Sequence, residues 1–259
     1  MTTILELDRV VKRFGGLVAV NNFSTRLEAG ELCALIGPNG SGKTTIFNLI
    51  TGIYEPTQGR ITFDGQDITG RRPDLIASLG IARTFQNIRL FKGLDVLGNV
   101  LVGHHLRLKA DPFSAIFRLP NYTAEERLMR EEALELLTAL RLDHLAHENA
   151  VALPYGQQRK LEIARALATH PKLLLLDEPA AGMNRAESQE LMDFILHILD
   201  TFKLTIFLIE HQMRVVMGIC PRIIVIDHGE TIAEGPPQAI QNDQRVIEAY
   251  LGVGDYAGD

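Results

Sequence analysis

The sequence predicts an α/β fold in which a helical insertion interrupts a parallel sheet. A short apolar strand, Glu31 to Ile36, runs into a glycine-rich loop, and a pattern with one apolar helix face follows it. Strand-sized apolar runs return in the last third of the chain, whereas helical patterns dominate residues 87–165. A strand, a glycine loop and a helix in this order are typical of the first unit of a parallel sheet.

The remaining elements follow from local patterns. Leu5 to Val11 and Leu17 to Leu27 read as strands, and the turn-prone pair Asn21-Asn22 is expected to break the second. A helix is expected to begin after Lys43, and the clearest helix of the insertion spans Ala124 to Leu140. The later elements are expected to be the strands Lys172–Asp177, Leu204–Ile209, Arg222–Asp227 and Thr231–Ala233, and the amphipathic helix Arg185 to Phe202.

The composition is that of an ordinary globular chain. Its 259 residues, 46% of them hydrophobic, are enough for one large or two small domains with a substantial core. The net charge of −6 argues against a protein that coats nucleic acid. We expect Cys33 and Cys220 to be reduced core thiols of a cytosolic protein. Because no apolar run approaches a membrane span and no secretion pattern opens the chain, we expect a soluble intracellular protein.

A phosphate-binding loop is the most specific motif. The sequence from Gly37 satisfies G-x-x-x-x-G-K-[ST] in full, between the predicted strand and the predicted helix. Its glycines let backbone N–H groups turn towards an anion, and the helix N-terminus reinforces them. Lys43 supplies a charge for the β- and γ-phosphates, Thr44 a hydroxyl for Mg²⁺, and Thr45 lies near the α-phosphate. The nucleoside triphosphate is thus expected to contact Gly37, Pro38, Asn39, Gly40, Ser41, Gly42, Lys43, Thr44 and Thr45.

Two consecutive carboxylates end the apolar run Leu173–Leu176. Asp177 stands at the carboxyl end of a buried strand, where P-loop folds place the second contact to Mg²⁺. Glu178 follows directly, and a carboxylate there can orient, or accept a proton from, the water that attacks the γ-phosphate. Because phosphotransfer kinases need no base for water, the pair favours a hydrolase.

The stretch before that strand makes a family recognisable. It reads Leu153-Pro154-Tyr155-Gly156-Gln157 and resembles the signature motif of ATP-binding cassette (ABC) proteins, whose usual form is Leu-Ser-Gly-Gly-Gln. The order of the motifs agrees with that family, with the P-loop first, then a glutamine, the signature, Asp-Glu and a histidine. The resemblance extends over almost the whole chain.

The resemblance implies roles for further residues. Phe14 matches the aromatic residue that stacks on adenine, Gln86 the glutamine that approaches Mg²⁺, and His211 the switch histidine that touches the γ-phosphate. The implied cofactors are ATP and Mg²⁺. The implied catalytic residues are Glu178, His211, Gln86 and Lys43, the metal ligands are Thr44, Gln86 and Asp177, and the nucleotide contacts outside the P-loop are Phe14, Tyr155, Gly156 and Gln157.

The resemblance also implies the architecture. We expect a P-loop NTPase (RecA-like) core with an antiparallel β-subdomain and a helical ABC subdomain. The nucleotide-binding core is expected in residues 1–86 and 166–235, the helical subdomain with the signature in residues 87–165, and a C-terminal extension in residues 236–259.

Several stretches are narrower than the general ABC pattern and resemble the ATPases of bacterial branched-chain amino acid importers. They include Ala82–Phe91, Tyr155–Arg159, Ile209–Met213 and the tail Val246–Gly252. Importers of urea and short-chain amides belong to the same group. A lipopolysaccharide exporter ATPase has a similar tail but normally keeps Ser-Gly-Gly in its signature. A soluble ABC protein of DNA repair or translation usually has a long coiled coil or tandem cassettes, and this sequence has neither.

The resemblance further implies an assembly. A second ABC ATPase, identical or paired, would close around two ATP molecules, and two transmembrane permease subunits would carry the substrate. An external binding protein would deliver that substrate, and no nucleic acid is involved. The implied location is peripheral, on the cytoplasmic face of the inner membrane.

Some residues depart from the family pattern or carry no assigned role. Pro154 replaces the usual serine and is expected in the first turn of a helix that begins near Gly156. Asn184 stands where the family usually has Asp. Several histidines show no metal-ligand spacing along the sequence, namely His104, His105, His144, His147 and His170.

Overall fold

The computed structural model describes residues 2–104 and 120–251. The chain forms two compact units. The core unit comprises Met1–Gln86 and Lys172–Asp259, and the helical unit comprises Asn87–Pro171. The prediction ended the helical insertion at residue 165, which lies inside a helix that runs to Leu167. His105 and the end of the predicted tail, residues 252–259, lie outside the described residues.

An antiparallel sheet opens the core unit. Its strands are β1 (Thr3–Phe14), β2 (Leu17–Glu28), β4 (Gln58–Phe63) and β5 (Gln66–Asp67), in the order β2-β1-β4-β5. The expected break at Asn21-Asn22 does not end β2, but the register with β1 shifts between Val20 and Phe23, and Asn22 there is left-handed with φ of +54°. Short strands such as β5 lack a sequence pattern of their own.

The second sheet of the core unit positions the predicted site. It contains β3 (Leu32–Ile36), β6 (Ile81–Arg83), β7 (Leu173–Asp177), β8 (Thr205–Ile209), β9 (Arg222–Asp227) and β10 (Glu230–Gly235). The order is β10-β9-β3-β8-β7-β6, parallel except for the antiparallel edge strand β10. Strands β3, β7 and β8 are buried along their whole length, which explains why their sequences are apolar apart from Asp177 and Thr205 at strand ends. Parallel strands bring their carboxyl ends, and the loops that follow, to one edge.

Helices complete the core unit. They are α1 (Lys43–Ile50), α2 (Pro73–Ser78), α6 (Arg185–Phe202), α7 (Met213–Ile219), α8 (Pro237–Gln241) and α9 (Gln244–Leu251). Helix α6 spans the predicted residues, and Asn184 caps it by accepting bonds from the N–H groups of Ala186 and Glu187. Asn serves this cap as well as Asp would, so the helix start tolerates the departure from the family pattern.

The helical unit contains α3 (Val96–His104), α4 (Pro120–Ala139) and α5 (Tyr155–Leu167). Helix α4 covers most of the predicted span, Ala124 to Leu140. Helices α3 and α5 pack closely at Gly103. A Cβ on this glycine would lie only 2.5 Å from the backbone oxygen of Arg165, so the two helix backbones can approach only because it has no side chain. Among the described residues, no helix is both long and apolar enough to cross a membrane.

Both cysteines lie in the core unit. Cys33 is the second residue of β3, and Cys220 follows α7; both are buried and outside any disulfide. Burial raises the pKa of the Cys33 thiol far above its ordinary value and raises the pKa of the Cys220 thiol to about 12. The structure thus agrees with the expectation of buried thiols.

Candidate active site

The P-loop joins β3 to α1 in the core unit. Gly42 precedes the helix with φ of +106°, and a Cβ on it would lie 2.5 Å from the carbonyl oxygen of Ala19. A Cβ on Gly37 would lie 2.1 Å from the carbonyl oxygen of Ile226 in β9. These positions require glycine because the neighbouring backbone leaves no room for a side chain. The loop is therefore built to present backbone rather than side chains.

Lys43 is the first residue of α1, and its ammonium is turned back onto its own loop. Nζ donates hydrogen bonds of 2.8 Å to the carbonyl oxygens of Gly37 and Pro38. Burial lowers the pKa of Lys43, while the nearby Glu178 and Asp177 carboxylates act in the opposite direction. Thr44, which follows it, is exposed, and Thr45 is half-buried. The loop carbonyls thus hold the Lys43 ammonium at the start of α1.

The structure brings together three of the predicted catalytic residues. Nε2 of Gln86 donates a 2.7 Å hydrogen bond to Oε2 of Glu178, and Nδ1 of His211 lies 3.6 Å from the same oxygen. Glu178 has φ of +46°, a left-handed conformation that costs a residue other than glycine roughly 1–2 kcal/mol. Its backbone N–H donates to the carbonyl of Ile209 at the end of β8, which holds it there. The carboxylate therefore has a fixed position between an amide and an imidazole.

Arg83, which the sequence analysis did not single out, is paired with the predicted metal ligand Asp177. Its Nη2 donates to Oδ2 of Asp177 at 2.7 Å, and its Nη1 donates to Oδ1 of Asn48 in α1 at 2.6 Å. The two side chains are only 7% and 6% exposed. The guanidinium lies 5.6 Å from the ring of Phe47 and 5.5 Å from that of Phe85. Arg83 thereby ties strand β7 to the helix that follows the P-loop.

A second residue that sequence reasoning missed is Glu210, which directly precedes His211. Its side chain is fully buried, and Oε1 accepts a 2.8 Å bond from the N–H of Ala180. Oε2 accepts from the N–H groups of His211 and Gln212 at 3.1 and 3.4 Å. Burial raises the pKa of Glu210, and these backbone donors reduce the rise. Glu210 connects the loop after β7 with the loop after β8.

Phe14 lies at the end of β1 with 41% of its surface exposed. Tyr54 meets its ring edge at a centroid distance of 5.1 Å and an interplanar angle of 75°. The ammonium of Lys12 is 5.0 Å from the Phe14 ring centre and donates to the carbonyl of Glu55. An aromatic ring held in this way by an edge contact can offer a face to a planar base.

The predicted signature residues lie in the helical unit, at the start of α5. Pro154 is the N-cap residue, with φ of −54° and ψ of 150°, and Tyr155 is the first helical residue. The prediction that Pro154 lies in the first helical turn is therefore wrong by one position. Its carbonyl accepts bonds from the N–H groups of Gln157 and Gln158, but a proline side chain provides no cap. Backbone N–H groups at such a helix start favour anions.

Tyr155 is held by a buried charge pair within its own helix. Arg159, with no exposed surface, donates to the Tyr155 hydroxyl at 3.2 Å and to Glu162 at 2.7 Å. Glu162 also accepts from the N–H of Arg89. Burial raises the pKa of Glu162, although Arg159 opposes the rise. The Tyr155 hydroxyl is therefore held against its own helix by a hydrogen bond from Arg159.

Comparisons with known proteins place the chain in a family. Residues 20–181 match the ABC transporter family, and residues 230–256 match the family of branched-chain amino acid ATP-binding cassette transporters. The chain is 44% identical to the high-affinity branched-chain amino acid transport ATP-binding protein BraF of Pseudomonas aeruginosa, over 96% of its length and 98% of that protein. The identity to the corresponding protein LivG of Escherichia coli K12 is also 44%, with the same coverage.

Solved structures agree with this assignment. The ADP conformation of MJ1267, an ATP-binding cassette of an ABC transporter, has a TM-score of 0.85 and 34% identity, covering 97% of this chain and all of that one. The dimeric post-hydrolysis state of the cassette MJ0796 with ADP and phosphate has a TM-score of 0.74 and 26% identity, covering 90% and 99% of the two chains. The chain therefore belongs to the ABC transporter family and is one of its ATP-binding, ATP-hydrolysing cassettes.

Proposed function

We propose that this chain powers an importer of branched-chain amino acids by hydrolysing ATP. The observation that carries the substrate class is the 44% identity to BraF and LivG over nearly the full length of each protein. The match of residues 230–256 to the branched-chain amino acid transporter family supports it from a separate part of the chain. Urea, short-chain amides and lipopolysaccharide are the alternative cargoes, and a soluble ABC protein without cargo is the alternative class.

The geometry supports a division of labour among the core residues. Backbone N–H groups of the P-loop and Lys43 bind the phosphates, and Phe14 stacks on the adenine. Glu178 positions the attacking water and accepts its proton, since Gln86 holds its carboxylate by a 2.7 Å hydrogen bond and His211 lies 3.6 Å from the same oxygen. His211 then stabilises the γ-phosphate as negative charge shifts onto its oxygens. Tyr155, Gly156 and Gln157 contact the ATP bound by a second cassette.

Mg²⁺ is assigned to Thr44, Asp177 and Gln86. These side chains offer hydroxyl, carboxylate and amide oxygens, the hard donors that Mg²⁺ prefers. Arg83 contacts one carboxylate oxygen of Asp177, Oδ2, and so orients the side chain that would hold the ion. When bound, Mg²⁺ would supply positive charge that offsets the negative charge of the phosphates. Arg83 is a positioning residue in this proposal, because it touches the metal ligand rather than the substrate.

The same relatives, all transport ATP-binding proteins, support an assembly of several subunits. Two cassettes, this chain with itself or with a paired ATPase, close on two ATP molecules; a dimer has been solved for the cassette MJ0796. Two permease subunits carry the cargo, an external binding protein delivers it, and the complex places this chain on the cytoplasmic face of the inner membrane. Closure on ATP and reopening after hydrolysis drive the permeases.

The test is transport by the whole complex. The chain is co-expressed with the permease and binding-protein genes that neighbour its own gene and is reconstituted in vesicles that contain ATP. We expect uptake of labelled leucine that exceeds uptake of labelled urea and disappears in a matched complex carrying Glu178→Gln. ATP-dependent urea uptake without leucine uptake would reassign the cargo. Neighbouring genes that encode no permease, together with failure to co-purify with membrane proteins, would favour the soluble class.

A further inference from the structure

Three potential metal ligands converge in the helical unit. The P-loop belongs to the core unit, so these residues are separate from the nucleotide site. They are His104 at the end of α3, Glu132 in α4 and His170 in the turn after α5. Nδ1 of His104 lies 3.7 Å from Oε2 of Glu132, and one ligand atom from each of the three residues lies within 4.8 Å of the others. The two imidazole rings meet edge to face, with centroids 5.7 Å apart and planes at 88°.

The fold itself produces this convergence. The close approach of Gly103 to the Arg165 carbonyl brings the last residue of α3, His104, beside the end of α5. The chain then leaves α5 through His170, which has φ of +51° and donates its N–H to the carbonyl of Leu167. The histidines therefore meet because two helices pack and one of them ends in a left-handed turn. No spacing along the sequence could reveal this, since each ligand comes from a different segment.

From this cluster we propose that His104, Glu132 and His170 bind one divalent transition-metal ion, with zinc the best match. Two imidazoles and one carboxylate form a three-ligand zinc set, and water would complete a tetrahedron. Metal–ligand distances of about 2.0–2.2 Å place ligand atoms about 3.3–3.6 Å apart. The 3.7 Å separation of His104 and Glu132 is already close to this range.

The remaining adjustment falls on the side chains that can make it. His104 is buried, with 3% of its side chain exposed, and provides the fixed ligand. Glu132 is 42% exposed and His170 is exposed, so a change of rotamer can move the ligand atom of either side chain by about an ångström without displacing the core. A buried fixed ligand and two surface ligands also leave a route from solvent to the metal.

The proposed ion differs in kind from the ion that accompanies ATP. Imidazole nitrogens favour zinc and its neighbours in the first transition row, whereas Mg²⁺ prefers oxygen ligands in an octahedron. Binding would join α3, α4 and the turn that follows α5. The signature residues lie at the opposite end of α5, in its first turn. We therefore expect zinc to stabilise the helical unit, because a ligand that binds only the folded state raises its melting temperature.

The experiment uses the untagged full-length chain, stripped with a chelator and titrated with Zn²⁺ alone by calorimetry. We expect one ion per chain with Kd at or below about 10 µM, a rise in melting temperature, and no competition from millimolar Mg²⁺. His170→Gln removes a surface ligand with little risk to folding and should weaken binding at least ~10-fold. Glu132→Gln should weaken it too, whereas Glu135→Gln, an exposed carboxylate of the same helix, should leave it unchanged.

Co²⁺ provides an independent readout, because tetrahedral coordination gives intense visible absorption that an octahedral surface site lacks. The double variant His144→Gln/His147→Gln removes two exposed histidines of the same unit and should keep this absorption. The proposal is overturned if the wild-type chain binds Zn²⁺ more weakly than about 100 µM. It is equally overturned if His170→Gln binds as tightly as wild type, or if the His144/His147 variant loses the ion instead.

Discussion

Arg83 and Asp177 form a buried ion pair, with 2.7 Å between Nη2 and Oδ2, across 94 residues of chain. The same guanidinium donates to Asn48, so one side chain fixes the predicted metal ligand relative to the helix that follows the P-loop. Such a pair contributes little net stability compared with an apolar pair, but removing one partner is costly because the other charge stays buried.

We therefore expect Arg83→Met to lower the free energy of unfolding by about 3–5 kcal/mol, measured in urea at pH 7. Arg83→Lys keeps the charge but cannot bond to Asp177 and Asn48 in the same fork geometry, so it should fold better and still need more Mg²⁺ for half-maximal ATPase activity. Arg72→Met is the matched control, since its pair with Asp74 is exposed and should contribute at most ~1 kcal/mol. An unchanged Mg²⁺ requirement in Arg83→Lys would contradict the positioning role.

Glu178→Gln tests the assigned base. The amide oxygen of the new side chain can still accept the Gln86 hydrogen bond, so the geometry should persist while proton transfer is lost. ATPase turnover should fall by ~10²–10⁴-fold with nearly unchanged ATP binding, and an ATP-dependent dimer should accumulate on gel filtration. Asp193→Asn, at an exposed carboxylate of α6, should hydrolyse ATP at the wild-type rate. Wild-type turnover in Glu178→Gln would remove Glu178 from the mechanism.

Pro154→Ser tests the departure in the signature. Serine would supply the missing side-chain cap of α5, which contributes about 0.5–2 kcal/mol. It would also supply a hydroxyl for the γ-phosphate of the opposing ATP, so the assembled transporter should hydrolyse ATP severalfold faster. Pro154→Ala is the control, since it removes the ring without adding a hydroxyl. Equal rates in the Ser and Ala variants would show that the hydroxyl does not matter.

Glu210→Gln tests how the proton on the buried Glu210 carboxyl group makes the unfolding free energy depend on pH. Burial raises the pKa of Glu210 in the folded state, so folded protein holds this proton more tightly than unfolded protein does. The stability from this group is therefore fully present below the unfolded pKa of about 4.3 and is lost as pH rises through the folded pKa. The unfolding free energy of wild type minus that of Glu210→Gln should decrease as pH is raised from 4 towards neutrality.

Urea unfolding at a series of pH values measures this difference. Glu162, whose pKa burial also raises, is present in both proteins, so its contribution cancels. Parallel pH profiles for wild type and Glu210→Gln would show that the Glu210 proton is not coupled to folding.

The sequence was sufficient for the parts of the fold that depend on local patterns. Fully buried strands such as Leu173–Asp177 read as continuous apolar runs, and the P-loop glycines mark the turn into α1. Short elements such as Ile81–Arg83 escaped because three residues carry no periodicity. Asn21-Asn22 predicts a break because asparagine favours a turn, but the strand continues through a register shift at which Asn22 is left-handed.

The site shows the same division. Gln86, Glu178 and His211 were predicted one by one, and the structure places their side chains around one oxygen. Arg83 and Glu210 were missed because their roles depend on partners far away in the sequence, Asp177 and Asn48 for Arg83 and Ala180 for Glu210. Glu210 had a usable signal, since it is a charged residue directly between a predicted strand and the predicted catalytic His211, where burial demands a partner. Arg83 had none, because it ends a strand that the sequence did not reveal.

The burial of Cys33 and Cys220 has a practical consequence for measuring motion in this ATPase. Their raised pKa values keep both as thiols rather than thiolates near neutral pH, and the thiolate is the form that reacts with maleimides. Neither residue needs to be replaced before a reporter is attached. One cysteine introduced at an exposed position of each unit, such as Asp193 and Glu135, would accept a fluorophore pair on an otherwise natural chain. Energy transfer between the dyes would then follow the two units through a single hydrolysis cycle.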